Sequence, residues 1–209
     1  MTDRLPAVHR LRDGTAVRLR LIGPADRARL AAGFAELSPA SRYRRFFSAM
    51  PRLPESLLRK LTETDGWNHI AIGAEAADGD PETARGLGVA HLFRLADAPE
   101  TAEVAIAVID QKQGLGLGHL LLRELVHVAR ARGIEQFRGV VLRDNTAVQA
   151  LLADVGEATA PRDEGDYLVY DIPLPAADEE DVHPGPLYRF LKRAAEGLEF
   201  VLHHLPRVE

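Results

Sequence analysis

The sequence predicts a mixed α/β domain: a mostly antiparallel sheet with helices on both faces, in the α+β sense rather than the doubly wound one. The first observation is the order of the periodic segments, which runs strand, helices, three strands, helix, strand, helix, two strands. The second is the stretch Val104 to Gly118, VAIAVIDQKQGLGLG, where a β-branched run stops at Asp110, turns through glycines and enters an apolar-periodic helix. The third is composition. With 46% hydrophobic and 27% charged residues, 209 residues suffice for one substantial soluble domain, or a domain with an appendage.

Val17 to Ile22 (VRLRLI) alternates apolar and basic residues, as a half-exposed strand does. Pro24-Ala25-Asp26 opens a helix through Phe34, and Leu37 to Phe47 is a second helix with Pro39 in its first turn. Pro51 and Pro54 set off a third, Glu55 to Leu61. His69 to Ala74 and Gly86 to Leu95 are strands flanking an acidic loop, and Asp97 to Glu100 turns into the strand leading to the glycines. Leu117, Leu121, Leu125 and Val128 recur at helical spacing, with His119, Arg123, His127 and Arg130 on another face, and Gly133 ends that helix. Phe137 to Leu142 is a buried strand. Asn145 then caps a helix carrying Val148, Leu151 and Leu152, which Gly156 stops. Glu157 to Ala160 and Tyr167 to Leu174 complete the sheet around an acidic turn.

Glycines at 114, 116 and 118 allow a tight turn and a close approach to the main chain. A strand, a glycine turn and a helix start present a row of backbone N–H groups to a phosphate. His119 and Leu120 stand where a P-loop needs lysine and Ser or Thr, which disfavours triphosphate hydrolysis. The alternating glycines, and Arg143 closing the next strand, disfavour a dinucleotide site.

Gln113-Gly114-Leu115-Gly116-Leu117-Gly118 fits Q/R-x-x-G-x-G/A and resembles the pyrophosphate-binding loop of the GNAT superfamily of acyl-CoA-dependent N-acetyltransferases. The resemblance covers roughly residues 15 to 174, leaving residues 1–14 as an extension and 175–209 as an acidic linker and helix. LSPASRYRRFF and LTETDGWNHIAI are similar to the amino-terminal half of the catalytic domain in bacterial protein lysine acetyltransferases (Pat-like), which typically modify acyl-CoA synthetases. Those relatives often carry a cyclic-nucleotide-binding or synthetase-like domain. No such domain is expected here, so the chain reads as a stand-alone catalytic domain.

The resemblance implies acetyl-CoA as co-substrate and no metal. Val108, Gln113, Gly114, Leu115, Gly116, Leu117, Gly118 and His119 would meet the cofactor, with Asn145 near the pantetheine arm. For His119 a polar place on the helix face is the alternative, and for Asn145 simple capping. The backbone of Ile106 to Val108 would pair with the pantetheine amides, and a bulge there would leave an N–H for the thioester oxygen. Glu103 occupies the glutamate position of an AE-V-A-V-like pattern, Ala102 to Val108, and is the candidate general base; a plain exposed strand end is the alternative. The family tyrosine that can protonate the departing thiolate is replaced by Leu152, and Tyr167 and Tyr170 are possible substitutes or strand packing.

Arg42, Arg44 and Arg45 could hold a phosphate or an acidic partner, but a solvated rim around a core stripe is preferred. His69 and His91 are read as packed or hydrogen-bonded rather than metal-bound. A net charge of −5 gives no global attraction to nucleic acid. No apolar run reaches membrane-spanning length, and the first residues lack a signal-peptide core, so a cytoplasmic setting is expected. The absence of cysteine excludes disulfides and a thiolate nucleophile. In the tail, Leu187, Phe190, Leu191, Ala194, Leu198 and Val201 share one helix face, which calls for packing on its own domain or on a second subunit, as in a homodimer. The reading is transfer of an acetyl group to an amine, a protein lysine or, failing that, a small-molecule amine. A non-catalytic acyl-CoA sensor of the same fold is the reading from a different class.

Overall fold

The computed structural model describes residues 5–78, 80–156 and 160–175. The tail helix expected beyond residue 175 lies outside the described residues.

Eight strands form one sheet among the described residues: β1 (Ala7–Arg10), β2 (Ala16–Leu21), β3 (His69–Ala76), β4 (Gly86–Arg94), β5 (Thr101–Val108), β6 (Gln136–Leu142), β7 (Arg162–Asp163) and β8 (Tyr167–Pro173). Their spatial order is β1-β2-β3-β4-β5-β6-β8-β7. Only β5 and β6 run parallel; every other neighbouring pair is antiparallel. A parallel pair needs a crossover. Here it is α4 (Leu117–Arg130), so the glycine turn lies at the point where β5 leaves the sheet.

Alternation along the strands divides the core into two layers. Val104 of β5 joins Leu121 and Leu125 of α4 and Leu151 and Leu152 of α5 (Thr146–Ala153) on one face. On the other face, Phe93 and Ala107 pack against Phe34, Leu37, Leu53, Leu58 and Leu61, which belong to or adjoin α1 (Arg27–Ala35), α2 (Pro39–Phe46) and α3 (Glu55–Thr62). Helices therefore cover both faces, as predicted. Glu103 and Ala105 share the parity of Ala107 and so face the layer of α1 to α3.

Three findings depart from the sequence reading. Ala7–Arg10, within the segment read as an extension, pairs with β2 as an edge strand. Of the strand expected at Glu157 to Ala160, residues 157–159 lie outside the described residues and Ala160 is not in a strand; β8's partner is instead Arg162–Asp163. The bulge expected near Ile106 to Val108 is absent, because β4 and β5 pair without interruption from Gly88↔Val108 to Arg94↔Ala102. The register shift in the sheet falls at Ala74/Glu75 of β3.

Candidate active site

A wedge between β5 and β6 takes the place of the bulge. The two strands pair only from Thr101↔Gln136 to Val104↔Gly139. Beyond that, β5 stays with β4 as far as Val108, and β6 stays with β8 as far as Leu142. The inner edge of Ala105 to Val108 is left without a strand partner. An edge of this kind is a template for an extended chain carrying amides. Val104 to Val108 and Gly139 to Val141 line the two sides of the resulting cleft, which holds about 1560 Å³ including its open mouth.

The glycine turn closes the far end. Gly114 (φ 71°) and Gly116 (φ 93°) adopt the left-handed conformation that only glycine takes without strain. Gly116 is the N-cap of α4, so the first amides of that helix lack intrahelical acceptors. Among the described residues, no protein acceptor engages any amide N–H from Gly114 to His119. The carbonyls are held instead. Arg12 donates its backbone N–H to Leu115 (3.2 Å) and its guanidinium to Gly114 (3.4 Å), while Gln113 Nε2 donates to the Val108 carbonyl (3.0 Å). Lys112 Nζ adds Asp13 (2.9 Å) and Thr15 (2.7 Å). The β1–β2 turn thus fixes the loop from behind, a role that local spacing in the sequence did not reveal. A rigid row of donors at a helix N-terminus suits a diphosphate.

The remaining predicted residues surround the same cleft. Gly118 sits where an added Cβ would lie 3.1 Å from Leu151 Cδ2. Leu117 is buried in the core and Leu115 packs against it, so both can offer a ligand only their backbone. His119 Nε2 meets Asp154 Oδ2 at 2.8 Å on the helix face. Asn145 is buried, lines the cleft and accepts from the Val148 N–H at 3.5 Å, as an N-cap.

Glu103 is exposed within the cleft, opposite Phe93 on β4 and Arg138 on β6. Arg138 is occupied by Asp171 at 2.8 Å. Arg45 is half-buried over the Phe46 ring, with its guanidinium carbon 4.8 Å from the centroid, and has no hydrogen-bond or ion-pair partner among the described residues. Burial pushes its guanidinium down to about 10, with the charge of Glu103 acting in the opposite direction.

The arginines of α2 therefore differ from a uniform solvated rim. Arg42 donates to the Pro51 and Ala35 carbonyls, Arg45 lines the cleft, and Arg44 is exposed at its side. His69 Nε2 and His91 Nδ1 lie 3.2 Å apart, in a stack with Phe93. Leu152 is buried against Gly139, and no tyrosine lines the cleft among the described residues. Tyr167 instead packs its ring 6.4 Å from that of Phe47. No group of three His, Asp or Glu side chains suited to a metal occurs among the described residues.

A sheet wedged open beside a parallel crossover, with free amides at the helix start, defines an acyl-CoA N-acyltransferase fold. Residues 16–157 match the model of the acetyltransferase (GNAT) domain, and the chain belongs to that family. It is an N-acetyltransferase of the GNAT type. It is 32% identical over 149 residues to an acetyltransferase of Pseudomonas aeruginosa, covering 71% of this chain and 78% of that protein. It is 30% identical over 187 residues to Acetyltransferase Pat of Mycolicibacterium smegmatis, covering 86% of this chain but only 52% of that protein. The crystal structure of the GNAT domain of S. lividans PAT superposes with a TM-score of 0.73 at 28% identity, covering 80% of this chain and 96% of that domain. The catalytic domain is thus Pat-like.

Proposed function

We propose that the protein transfers the acetyl group of acetyl-CoA directly to the ε-amine of a protein lysine, with Glu103 as general base. The observation that carries this reading is the run of unengaged amides from Gly114 to His119 on the same continuous segment as Glu103. Those amides bind the diphosphate, and Gln113, tied to the Val108 carbonyl, orients the loop. The unpaired edge of Ala105 to Val108 receives the pantetheine amides as an added strand would. The thioester then points back along β5 toward Glu103.

Acetyl-CoA supplies an activated acyl carbon. A free lysine amine has a pKa near 10.4 and is a poor nucleophile while protonated. Glu103, directly or through one water, takes the proton as the nitrogen attacks. The C–N bond forms, the C–S bond breaks and the coenzyme A thiolate departs. With Leu152 in the family tyrosine position, the thiolate draws its proton from solvent or leaves without one.

The Pat-like relatives and the open cleft mouth favour a protein acceptor over a free small amine, and an acyl-CoA synthetase is the first protein to try. Incubating the enzyme and acetyl-CoA with such a synthetase, with lysine peptides and with a panel of small amines tests this. CoA release accompanied by a 42 Da gain on a lysine of the protein supports the reading (about the mass of one acetyl group replacing a proton). Turnover confined to small amines rejects the protein acceptor.

A further inference from the structure

A second cavity lies beneath α1 to α3, on the Glu103 face of the sheet. It holds about 720 Å³ including the part open to solvent. Its walls are chiefly aliphatic and aromatic, with Leu30, Phe34, Leu53 and Leu61 from the helical layer and Val89 from β4. It shares Leu37, Arg45 and Ala107 with the active-site cleft, so the two spaces adjoin near the Val108 end of β5. We infer that this cavity receives the hydrocarbon tail of acyl-CoA thioesters longer than acetyl, making the enzyme an acyltransferase for short and medium aliphatic chains.

Chemistry at the cavity walls selects this occupant. Four of the charged residues reaching it, Arg20, Asp26, Arg29 and Glu75, are already matched to one another, whereas Arg45 at the junction has no such partner among the described residues. Glu75, 3% exposed, accepts from Arg18 at 3.2 Å, Arg20 at 2.9 Å and Arg29 at 2.9 Å, and Asp26 pairs with Arg20 and Arg29. A polar ligand would be desolvated there against groups that have partners, whereas an alkyl tail loses nothing polar. At the junction, Ala107 presents a single methyl and Leu37 a flexible wall. Arg45 lines both spaces there, with its guanidinium carbon 4.8 Å from the centroid of the Phe46 ring. The opening lies beside Ala107, on the strand edge proposed to hold the pantetheine. An acyl group attached at the end of that arm has the cavity within reach. This inference rests on the proposed CoA site.

Binding of acetyl-, butyryl- and hexanoyl-CoA measured by calorimetry tests it without any need for the acceptor. Each methylene moved from water into an apolar site contributes about 0.8 kcal/mol, close to fourfold in affinity. Butyryl-CoA, with two more methylenes, should therefore bind about fifteenfold tighter than acetyl-CoA, and hexanoyl-CoA tighter again. Leu30→Phe narrows the cavity at a wall that the cleft does not share and should abolish the gain for hexanoyl-CoA while leaving acetyl-CoA binding unchanged. Gly33→Leu provides a second route. The nearest atom to an added Cβ at Gly33 is the Gly86 carbonyl oxygen at 3.9 Å, so a side chain can be accommodated there. Equal or weaker binding of the longer thioesters, or a chain-length gain that survives both substitutions, overturns the inference and leaves the acetyltransferase reading intact. Failure of every thioester to bind overturns both.

Discussion

Ser38 donates twice to one carboxylate, Asp110: its backbone N–H at 2.9 Å and its hydroxyl at 2.6 Å. Ser41 adds a third bond at 3.0 Å. Ser38 is the N-cap of α2, and Asp110 opens the turn that leads into the glycine loop. The helix bearing Arg45 and the loop proposed to hold the diphosphate are therefore fastened together here, and Gln113 Nε2 adds a bond to Ser41 Oγ at 3.3 Å.

Replacing Asp110 by alanine should free that junction. Loss of hydrogen bonds to an exposed charged group is expected to cost about 1 kcal/mol in urea denaturation. Acetyl-CoA affinity should fall in parallel, because three of the bonds joining α2 to the loop are lost. Unchanged affinity would show that the two elements are set independently.

Gly116→Ala tests the backbone conformation of the loop. At φ 93° an alanine carries a strain of about 1–2 kcal/mol. The variant should bind acetyl-CoA about tenfold more weakly while remaining folded by circular dichroism. Wild-type affinity would mean that the loop's conformation does not govern cofactor binding.

Gly139 and Leu152 form a second close relationship. A Cβ at position 139 would lie 2.6 Å from Leu152 Cδ1. Gly139→Ala should lower stability by about 1–3 kcal/mol through overpacking. Combining it with Leu152→Ala should recover part of that loss, as a coupled pair does in a double-mutant cycle. Strict additivity of the two changes would contradict the packing described.

Much of this arrangement was legible in the sequence because the elements that carry it have strong periods. The apolar stripe Leu117, Leu121, Leu125 and Val128 and the β-branched run of β5 place the loop on a rigid strand–helix unit. The weakly patterned pieces were not legible. Ala7–Arg10 is four residues long and alternates only between half-buried and exposed, so it forms because β2 offers it an edge. The support from Arg12 and Lys112 joins residues about a hundred positions apart, a distance that no local pattern spans. The wedge between β5 and β6 is a property of their pairing, and neither strand's own residues announce it.

Acid stability should report the turn before β3. The backbone N–H of His69 is the largest influence on the Asp65 carboxyl. Burial opposes it, and Trp67 and Asn68 add further donors, so the group is held down to about 2. A lowered carboxyl stabilises the fold fully above its unfolded value near pH 4, and that contribution is lost as pH falls toward 2. Asp65→Asn should therefore flatten the stability–pH slope between pH 4 and 2, measured by chemical denaturation. A slope identical to the parent's would remove Asp65 from the acid response.

Glu103 is the residue on which the proposed chemistry turns. The most direct measurement is single-turnover acetyl transfer by Glu103→Gln at saturating acetyl-CoA, with acetyl-CoA affinity determined alongside. The account predicts a rate lowered by about 10²–10⁴-fold with affinity unchanged, as befits loss of a proton acceptor. A variant that transfers acetyl as fast as the parent would contradict it.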